Sequence, residues 1–194
     1  EQMRFLHSRP DVYRVVGLKE FENNPHALFV EKHPGAKVII THDDGYRNNY
    51  LNAFPILKRF GFPAAISLTT GLVGTDKKFA PYDQVPGRDM LNWEEIAEMC
   101  VHKISFVAHT VSHPHLPQLS PEAQRREIAE SYDCLGRKLP PGERLSTFCY
   151  PHGEYNADTL KIVQELGFKY ALSVISGVNT VDTPAHELRR IEVS

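Results

Sequence analysis

Cysteine is scarce in this sequence, and long apolar runs are missing altogether. The three cysteines form no CxxC pair, and their odd number argues against a disulfide framework and against a zinc site built from thiolates. No apolar run approaches the ~20 residues that cross a bilayer, so we expect no membrane-spanning segment in this chain. No signal peptide is visible, and the sequence starts at Glu1 rather than Met. We therefore expect a processed or trimmed protein whose signal or anchor lies outside the sequence.

An excess of charge of either sign is also lacking. The 22 Lys and Arg residues nearly balance the 24 Asp and Glu residues, which gives a net charge of -2 and a pI near 6.6. A nucleic-acid partner or an anionic membrane would require a strong basic excess, so neither is indicated. The 194 residues are 41% hydrophobic, enough to bury a sizeable core. We predict a single domain over residues 1–194, and a monomer.

Strand-like and helix-like segments alternate along most of the chain. Apolar runs predict strands over residues 38–41, 64–69, 104–108, 146–150, 170–174 and 188–193. Helical spacing and capping residues predict helices that start near Tyr50, Asn92, Ser120 and Asn156. We also expect residues 3–6 to form a first strand and residues 71–90 to form a long loop. This alternation favours the α/β class, with a parallel sheet that is either open and doubly wound or closed as a barrel.

Three polar clusters each follow one of the predicted strands. They read THDDGYRNNY (41–50), AHTVSHPHL (108–116) and FCYPHGEYN (148–156). In α/β folds, reactive groups gather where parallel strands end at their carboxyl edge. We therefore expect the three clusters to lie close together.

The second cluster has the spacing of a metal site. His109 and His113 are four residues apart, a separation at which two imidazoles can share one metal ion. With one carboxylate they would form a facial set that leaves positions open for water and substrate. The alternative is a pair of surface or capping histidines, because short motifs often match by chance.

The other two clusters also have two interpretations each. If a metal is present, one of the adjacent Asp43 and Asp44 would coordinate it and the other would take a proton from water. Otherwise Asp-Asp-Gly is an ordinary turn. In the third cluster, Pro151 and Gly153 would bend the chain and aim a main-chain N–H at a developing oxyanion, or simply connect a strand to a helix.

Together with LNWEEIAEM (91–99), these clusters resemble the polysaccharide deacetylase family, the NodB-homology domains of carbohydrate esterase family 4. The resemblance covers roughly residues 36–175 and keeps the family's motif order. It implies a deformed (β/α) barrel and a metal-dependent removal of N-acetyl groups from amino sugars. The pattern is most similar to the branch that deacetylates the biofilm polymer poly-N-acetylglucosamine.

The resemblance also implies a role for particular residues. The general base would be Asp43, with Arg190 to orient it, and the metal ligands would be Asp44, His109 and His113. The N–H of His152 would serve the oxyanion hole. The residues expected to bind substrate are Tyr150, Pro151, Gly153 and Trp93. The metal would be divalent, with zinc preferred and cobalt, nickel or iron as alternatives.

The proton donor for the leaving amine is the least defined role. In the poly-N-acetylglucosamine branch an N-terminal YH motif supplies it, and RFLHSRPDVYRV is similar to a shortened form of that motif, which assigns the role to His7. His186 and His115 are the alternatives. The sequence also departs from the family pattern in having His42 where Phe is usual, Cys149 where some members have Arg, and His152 where an aromatic residue is usual.

These features predict an extracytoplasmic enzyme that deacetylates an acetylated amino-sugar polysaccharide, poly-β-1,6-N-acetylglucosamine being favoured. Alternative substrates are a chitin oligosaccharide, peptidoglycan or a small cyclic amide. A non-catalytic sugar-binding protein on the same fold is the alternative of a different class.

Overall fold

A computed structural model describes residues 1–25, 35–77, 79 and 89–193. The α-helices are α1 (Gln2–His7), α2 (Leu18–Asn23), α3 (Phe54–Phe60), α4 (Trp93–Val101), α5 (Pro121–Lys138) and α6 (Ala157–Glu165). The strands are β1 (Tyr13–Val15), β2 (Ala36–Val38), β3 (Thr41–His42), β4 (Ala64–Leu68), β5 (Ile104–Ala108), β6 (Thr147–Cys149), β7 (Tyr170–Ser176) and β8 (Leu188–Arg190). A π-helical turn (Asn49–Ala53) precedes α3, and short 3-10 turns occur at Leu116–Gln118 and Pro151–Gly153.

Six of the strands form one sheet in the order β3-β4-β5-β6-β7-β8, and β1 pairs with β2 in a separate two-stranded sheet. Neighbouring strands run parallel in the pairs β1–β2, β3–β4, β5–β6, β6–β7 and β7–β8. Each connection between consecutive strands from β3 to β7 contains a helix, whereas β7 and β8 are joined by turns and bends. The first part is the α/β pattern predicted from the alternation of segments. None of the described helices combines the length and apolar content that a membrane crossing requires.

Contacts within the chain define two compact units, Glu1–Ile66 with Leu72–Phe106, and Ser67–Gly71 with Val107–Ser194. In the first unit, the aspartates of the first cluster follow directly on β3. Helix α4 begins after Asn92, as predicted, with a capping box in which the Asn92 side chain accepts from the Glu95 N–H and the Glu95 carboxylate accepts from the Asn92 N–H. Ile96 and Met99 are buried on the inner face of this helix.

In the second unit, helices α5 and α6 pack against each other. Ser120 caps α5, with proline at its first position, and Asn156 caps α6, as the sequence predicts. The buried face of α5 includes Ile128 and Leu135. The ring of Phe148 on β6 is fully buried, so the apolar core of this unit lies beneath the segment that leads to His152.

The structure corrects three predicted elements. Residues 3–6 are helical, in α1, because a run of four apolar or basic residues with good helix propensity cannot be told from a strand by pattern alone. The predicted strand at 38–41 is divided between β2, which ends at Val38, and β3, which begins at Thr41. The last strand ends at Arg190 rather than at residue 193. In the predicted 71–90 loop, 71–76 form turns and bends, whereas 78 and 80–88 lie outside the described residues.

Candidate metal centre and active site

The residues of the three clusters adopt unusual backbone conformations. Left-handed φ angles occur at Asp44 (72°), Thr110 (66°), His113 (61°) and His152 (57°). Lys103 is the one other described non-glycine residue with a positive φ. Each such conformation raises the free energy of the folded state by roughly 1–3 kcal/mol, and such conformations cluster at functional sites. Backbone strain is therefore concentrated in the segments that the sequence singles out for chemistry.

One ligand atom from each of Asp44, His109 and His113 lies within 4.8 Å of the other two. His109 is buried, and the other two are half-buried. Two imidazoles and one carboxylate are a donor set that divalent zinc and its first-row neighbours accept, with positions left for water and substrate. The residues present therefore fit the divalent metal expected from the sequence.

A hydrogen bond selects one tautomer of the His109 ring. Its Nδ1 lies 2.8 Å from the carbonyl oxygen of Cys149. Because a carbonyl oxygen can only accept a hydrogen bond, Nδ1 must carry the hydrogen, which leaves the lone pair on Nε2. Such a second hydrogen bond fixes the tautomer and the ring orientation of a ligating histidine. Cys149 contributes its main-chain carbonyl here, so the contact does not depend on which side chain this position carries.

His113 follows a tight turn that Thr110 closes. The Thr110 hydroxyl is 2.5 Å from the carbonyl oxygen of His109 and accepts a hydrogen bond from the His113 N–H at 3.0 Å. These bonds bring the rings of His109 and His113 to a centroid distance of 4.8 Å. The pair lies in the loop that follows β5 and not on a helix.

The ring of His152 is in contact with two other imidazoles. Its centroid lies 4.3 Å from that of His113, in an edge arrangement, and 4.0 Å from that of His115, in a parallel stack. The Nδ1 of His115 is 2.8 Å from a carboxylate oxygen of Glu154. His115 and Glu154 are each about half exposed, so solvent screens their interaction.

The two aspartates begin a turn that glycine completes. Gly45 has a φ of 78°, and its N–H donates to the carbonyl oxygen of Asp43 at 2.9 Å. Just before them, burial lowers the pKa of His42, and the negative charge of Asp43 opposes that shift. His42 is thus disposed to be neutral at pH 7 beside the proposed base.

The residues expected to bind substrate occupy varied environments. Tyr150 and Pro151 are buried, and the Tyr150 hydroxyl donates to the carbonyl oxygen of His186 at 2.9 Å. Burial also raises the pKa of Tyr150. Gly153 has a φ of 69° and lies so close to Val174 that a Cβ would overlap the valine methyl groups. Tyr150, Pro151 and Gly153 are therefore placed to shape the His152 turn, and a direct contact with substrate stays a prediction.

Trp93 and Arg190 are the remaining predicted site residues. Trp93 is the first residue of α4, half-buried, and its indole lies next to Gly74. Arg190, the last residue of β8, donates from Nε to the carbonyl oxygen of Ser173 on β7 at 2.7 Å. This bond fixes the base of the guanidinium group, and its predicted action on Asp43 stays a prediction.

The three histidines considered as proton donors lie in different places. His7 ends α1, and its ring contacts Phe60 and Phe62 at centroid distances of 5.1 and 6.1 Å. Both phenylalanines precede β4, whereas Asp43 follows the parallel strand β3. His7 therefore lies towards the amino ends of these strands, and the first strand expected to deliver it to the carboxyl edge is a helix. This placement does not favour the role expected of His7, which stays a prediction.

His186 and His115 are both in the second unit. The Nε2 of His186 is 2.9 Å from the carbonyl oxygen of Phe168, which precedes β7. His186 is therefore bound at the amino end of that strand. His115 instead touches His152, at the carboxyl edge where the ligand histidines lie. The sequence does not predict the bond of Thr110 to the His113 N–H, the stack of His115 on His152 or the contact of Glu154 with His115. These contacts involve loops with left-handed residues, which residue type alone does not indicate.

Comparison with known proteins gives a consistent result. The family model for polysaccharide deacetylases matches residues 31–171. YxkH of Bacillus subtilis, provisionally named a polysaccharide deacetylase, is 32% identical over 168 residues, which is 86% of this chain and 55% of that protein. The poly-beta-1,6-N-acetyl-D-glucosamine N-deacetylase of Staphylococcus aureus strain N315 is 28% identical over 173 residues, 84% of this chain and 56% of that protein. The chain thus spans just over half the length of these curated relatives.

Two solved structures are similar over almost the whole chain. The Streptococcus pyogenes deacetylase PplD, in complex with acetate, has a TM-score of 0.82 and 28% identity. The superposition covers 99% of this chain and 78% of the PplD chain. IcaB from Ammonifex degensii has a TM-score of 0.78 and 28% identity. The superposition covers 100% of this chain and 82% of the IcaB chain. These similarities confirm the predicted fold class, a deformed (β/α) barrel of the NodB-homology type. The chain therefore belongs to the polysaccharide deacetylase family.

Proposed function

We propose that this chain is a metal-dependent N-deacetylase that removes acetyl groups from N-acetylglucosamine units of a surface polysaccharide. The observation that carries the proposal is the approach of ligand atoms from Asp44, His109 and His113 to within 4.8 Å of one another. Poly-β-1,6-N-acetylglucosamine is the favoured substrate, because the Staphylococcus aureus relative is named for that polymer. On this substrate the enzyme would act outside the cytoplasm.

Zinc is the favoured metal, with cobalt, nickel and iron as alternatives. When bound, a divalent cation supplies Lewis acidity, which lowers the pKa of water toward ~7 and polarises the acyl oxygen. His109 would contribute Nε2, since its Nδ1 is committed to the Cys149 carbonyl oxygen. His113 and Asp44 would contribute an imidazole nitrogen and a carboxylate oxygen.

The remaining steps use other groups of the chain. Asp43 takes a proton from the water that attacks the acetyl carbon. The His152 main-chain N–H donates a hydrogen bond to the oxyanion that forms on the acyl oxygen, and the left-handed turn at His152 sets the direction of that N–H. The C–N bond then breaks as a histidine protonates the leaving nitrogen, and the products are acetate and a free amine.

His7, His115 and His186 are the candidates for that proton donor, and His186 is the least favoured because its ring is bound at the amino end of β7. His7 is expected from its resemblance to the family's N-terminal motif. His115 has the supporting contacts, because it stacks on His152 and is oriented by Glu154. A carboxylate that orients a histidine is a recurrent arrangement for general acids and bases. We therefore favour His115, which makes the donor part of the same segment as the ligand His113.

Acetate release from a panel of acetylated glycans tests the proposed function. The panel is poly-β-1,6-N-acetylglucosamine, chitin oligosaccharides and peptidoglycan, each assayed with Zn²⁺, Co²⁺, Ni²⁺ or Fe²⁺ and after chelation. We expect release from the first polymer to be fastest and to stop on chelation. Faster release from another glycan would change the substrate. The absence of release from every glycan would leave the small cyclic amide and the sugar-binding alternative.

A further inference from the structure

Two carbonyl groups in the segment that follows His109 accept hydrogen bonds from another part of the chain. We call residues 110–113 the ligand loop. The Thr70 N–H donates to the Thr110 carbonyl oxygen at 3.1 Å, and the Gly71 N–H donates to that of Val111 at 2.9 Å. Gly71 permits this approach, because a Cβ there would lie 2.6 Å from the Val111 carbonyl oxygen. The ligand loop is thus hydrogen-bonded to the residues that follow β4.

The N–H groups of the same loop bind a single carboxylate. One oxygen of Glu127 accepts from the N–H groups of Val111 and Ser112, each at 2.9 Å. The other oxygen accepts from the Ser112 hydroxyl at 2.8 Å. Successive main-chain N–H groups that converge on one anion form a nest, and hydrogen bonds to an ionised acceptor are stronger than those between neutral groups.

Helix α5 supplies Glu127 from a well-fixed position. Its neighbour Ile128 is fully buried. Gln124, one turn earlier, is also buried, donates to the Leu119 carbonyl oxygen at 3.2 Å and accepts from the Thr159 hydroxyl at 2.6 Å. Glu127 therefore lies between two buried positions of the helix, which anchor this part of α5 in the core.

The ligand loop needs such support because two of its four residues are left-handed. Thr110 has a φ of 66° and His113 a φ of 61°, a conformation that side-chain-bearing residues disfavour. We propose that Glu127 is a positioning residue for the metal centre, which holds the ligand loop in the shape that brings His113 to His109. This inference rests on the proposed function, since it assigns Glu127 a part in metal binding.

Titration of purified protein with CoCl₂, followed by visible absorption, tests the inference without an activity assay. We expect Glu127→Ala to fold and to bind Co²⁺ about 10–100-fold more weakly, the usual effect of losing a group that orients a metal ligand. Glu127→Gln should lie closer to the wild type, because its amide oxygen can still accept from both N–H groups. Glu130→Ala, an exposed residue on the same helix, is the control and should match the wild type.

Hydrogen exchange at the Val111 and Ser112 amides provides the second readout. Both amides should exchange faster in metal-free Glu127→Ala than in the metal-free wild type. Unchanged Co²⁺ affinity in a folded Glu127→Ala protein would overturn the inference while leaving the proposed function intact. If Glu127→Ala does not fold, equal weakening in Glu127→Gln and Glu130→Ala would overturn it. A wild type that does not bind Co²⁺ would instead overturn the proposed function, and the inference with it.

Discussion

The imidazole ring of His115 lies parallel to that of His152, with centroids 4.0 Å apart and planes inclined by 8°. The His152 ring contacts that of His113 in turn, at 4.3 Å. His115 is thus separated from a proposed metal ligand by one ring, and Glu154 fixes its orientation through Nδ1. These contacts are the reason that His115, rather than His7, is our proposed proton donor.

We expect His115→Ala to lower the rate of acetate release by ~100-fold or more, the usual scale for general acid catalysis. His115→Phe should lose as much activity, because it keeps a stacking ring but has no proton to give. Single-turnover rates and metal content are the measurements.

His7→Ala is the comparison variant for His115. Because the His7 ring packs against Phe60 and Phe62, we expect its loss to reduce stability slightly and to leave most of the activity. If His7→Ala lost the activity and His115→Ala kept it, the role would return to His7, as the N-terminal motif suggests. Full activity in His115→Phe would show that His115 serves only to pack against His152.

The metal centre predicts a specific effect of removing one imidazole. His109→Ala or His113→Ala should abolish binding of the expected single divalent ion per chain, and acetate release should fall to background, because two ligands hold such an ion poorly. Metal analysis after dialysis is the measurement. His102→Ala is the control, since its ring contacts Phe54 and not the centre. Undiminished acetate release after complete chelation would contradict the prediction.

The two adjacent aspartates should respond differently to the same change. Asp43→Asn should keep the metal and lose turnover by ~100-fold or more, because an amide cannot take the proton from water. Asp44→Asn should weaken metal binding itself, since a neutral amide oxygen is a poorer ligand than a carboxylate. Paired metal titrations and turnover assays are the measurements. Equal loss of metal in both variants, without a separate catalytic defect in Asp43→Asn, would refute the division of roles.

Gly153→Ala should destabilise the fold as well as the His152 turn. A Cβ at this position would overlap the Val174 side chain and impose a disfavoured φ of 69°, so we expect a loss of roughly 2–4 kcal/mol in unfolding free energy. Gly142→Ala is a matched control, with a φ of 81° but open space around it. It should cost only about 1 kcal/mol. Similar losses in the two variants, measured by denaturant unfolding, would show that the contact with Val174 is unimportant.

Sequence patterns were sufficient where the information is local. The caps at Asn92, Ser120 and Asn156 could be recognised because each uses a side chain that satisfies N–H groups a few residues away. The approach of Asp44 to the two ligand histidines was also predictable, because parallel strands place their carboxyl ends on one edge.

The parts that escaped prediction depend on distant contacts. Helix α1 was predicted as a strand, since four residues carry too little periodicity to decide. The bonds of Glu127 to the ligand loop could not be foreseen, because they join a side chain to main-chain groups at least 15 residues away. The stack of His115 on His152 involves a left-handed φ at His152. A histidine does not favour that conformation, so the sequence gives no sign of it.

The hydrogen bonds of Glu127 to main-chain groups also affect which sequence changes the metal centre can accept. Its bonds to the N–H groups of Val111 and Ser112 exist whatever side chains those positions carry, apart from proline. We therefore expect changes at Val111 and Ser112 to be tolerated, and replacement of Glu127 to be tolerated only by a residue that can still accept from both N–H groups. We infer that a library randomised at 111 and 112 would return many metal-binding variants, and that one randomised at 127 would return few.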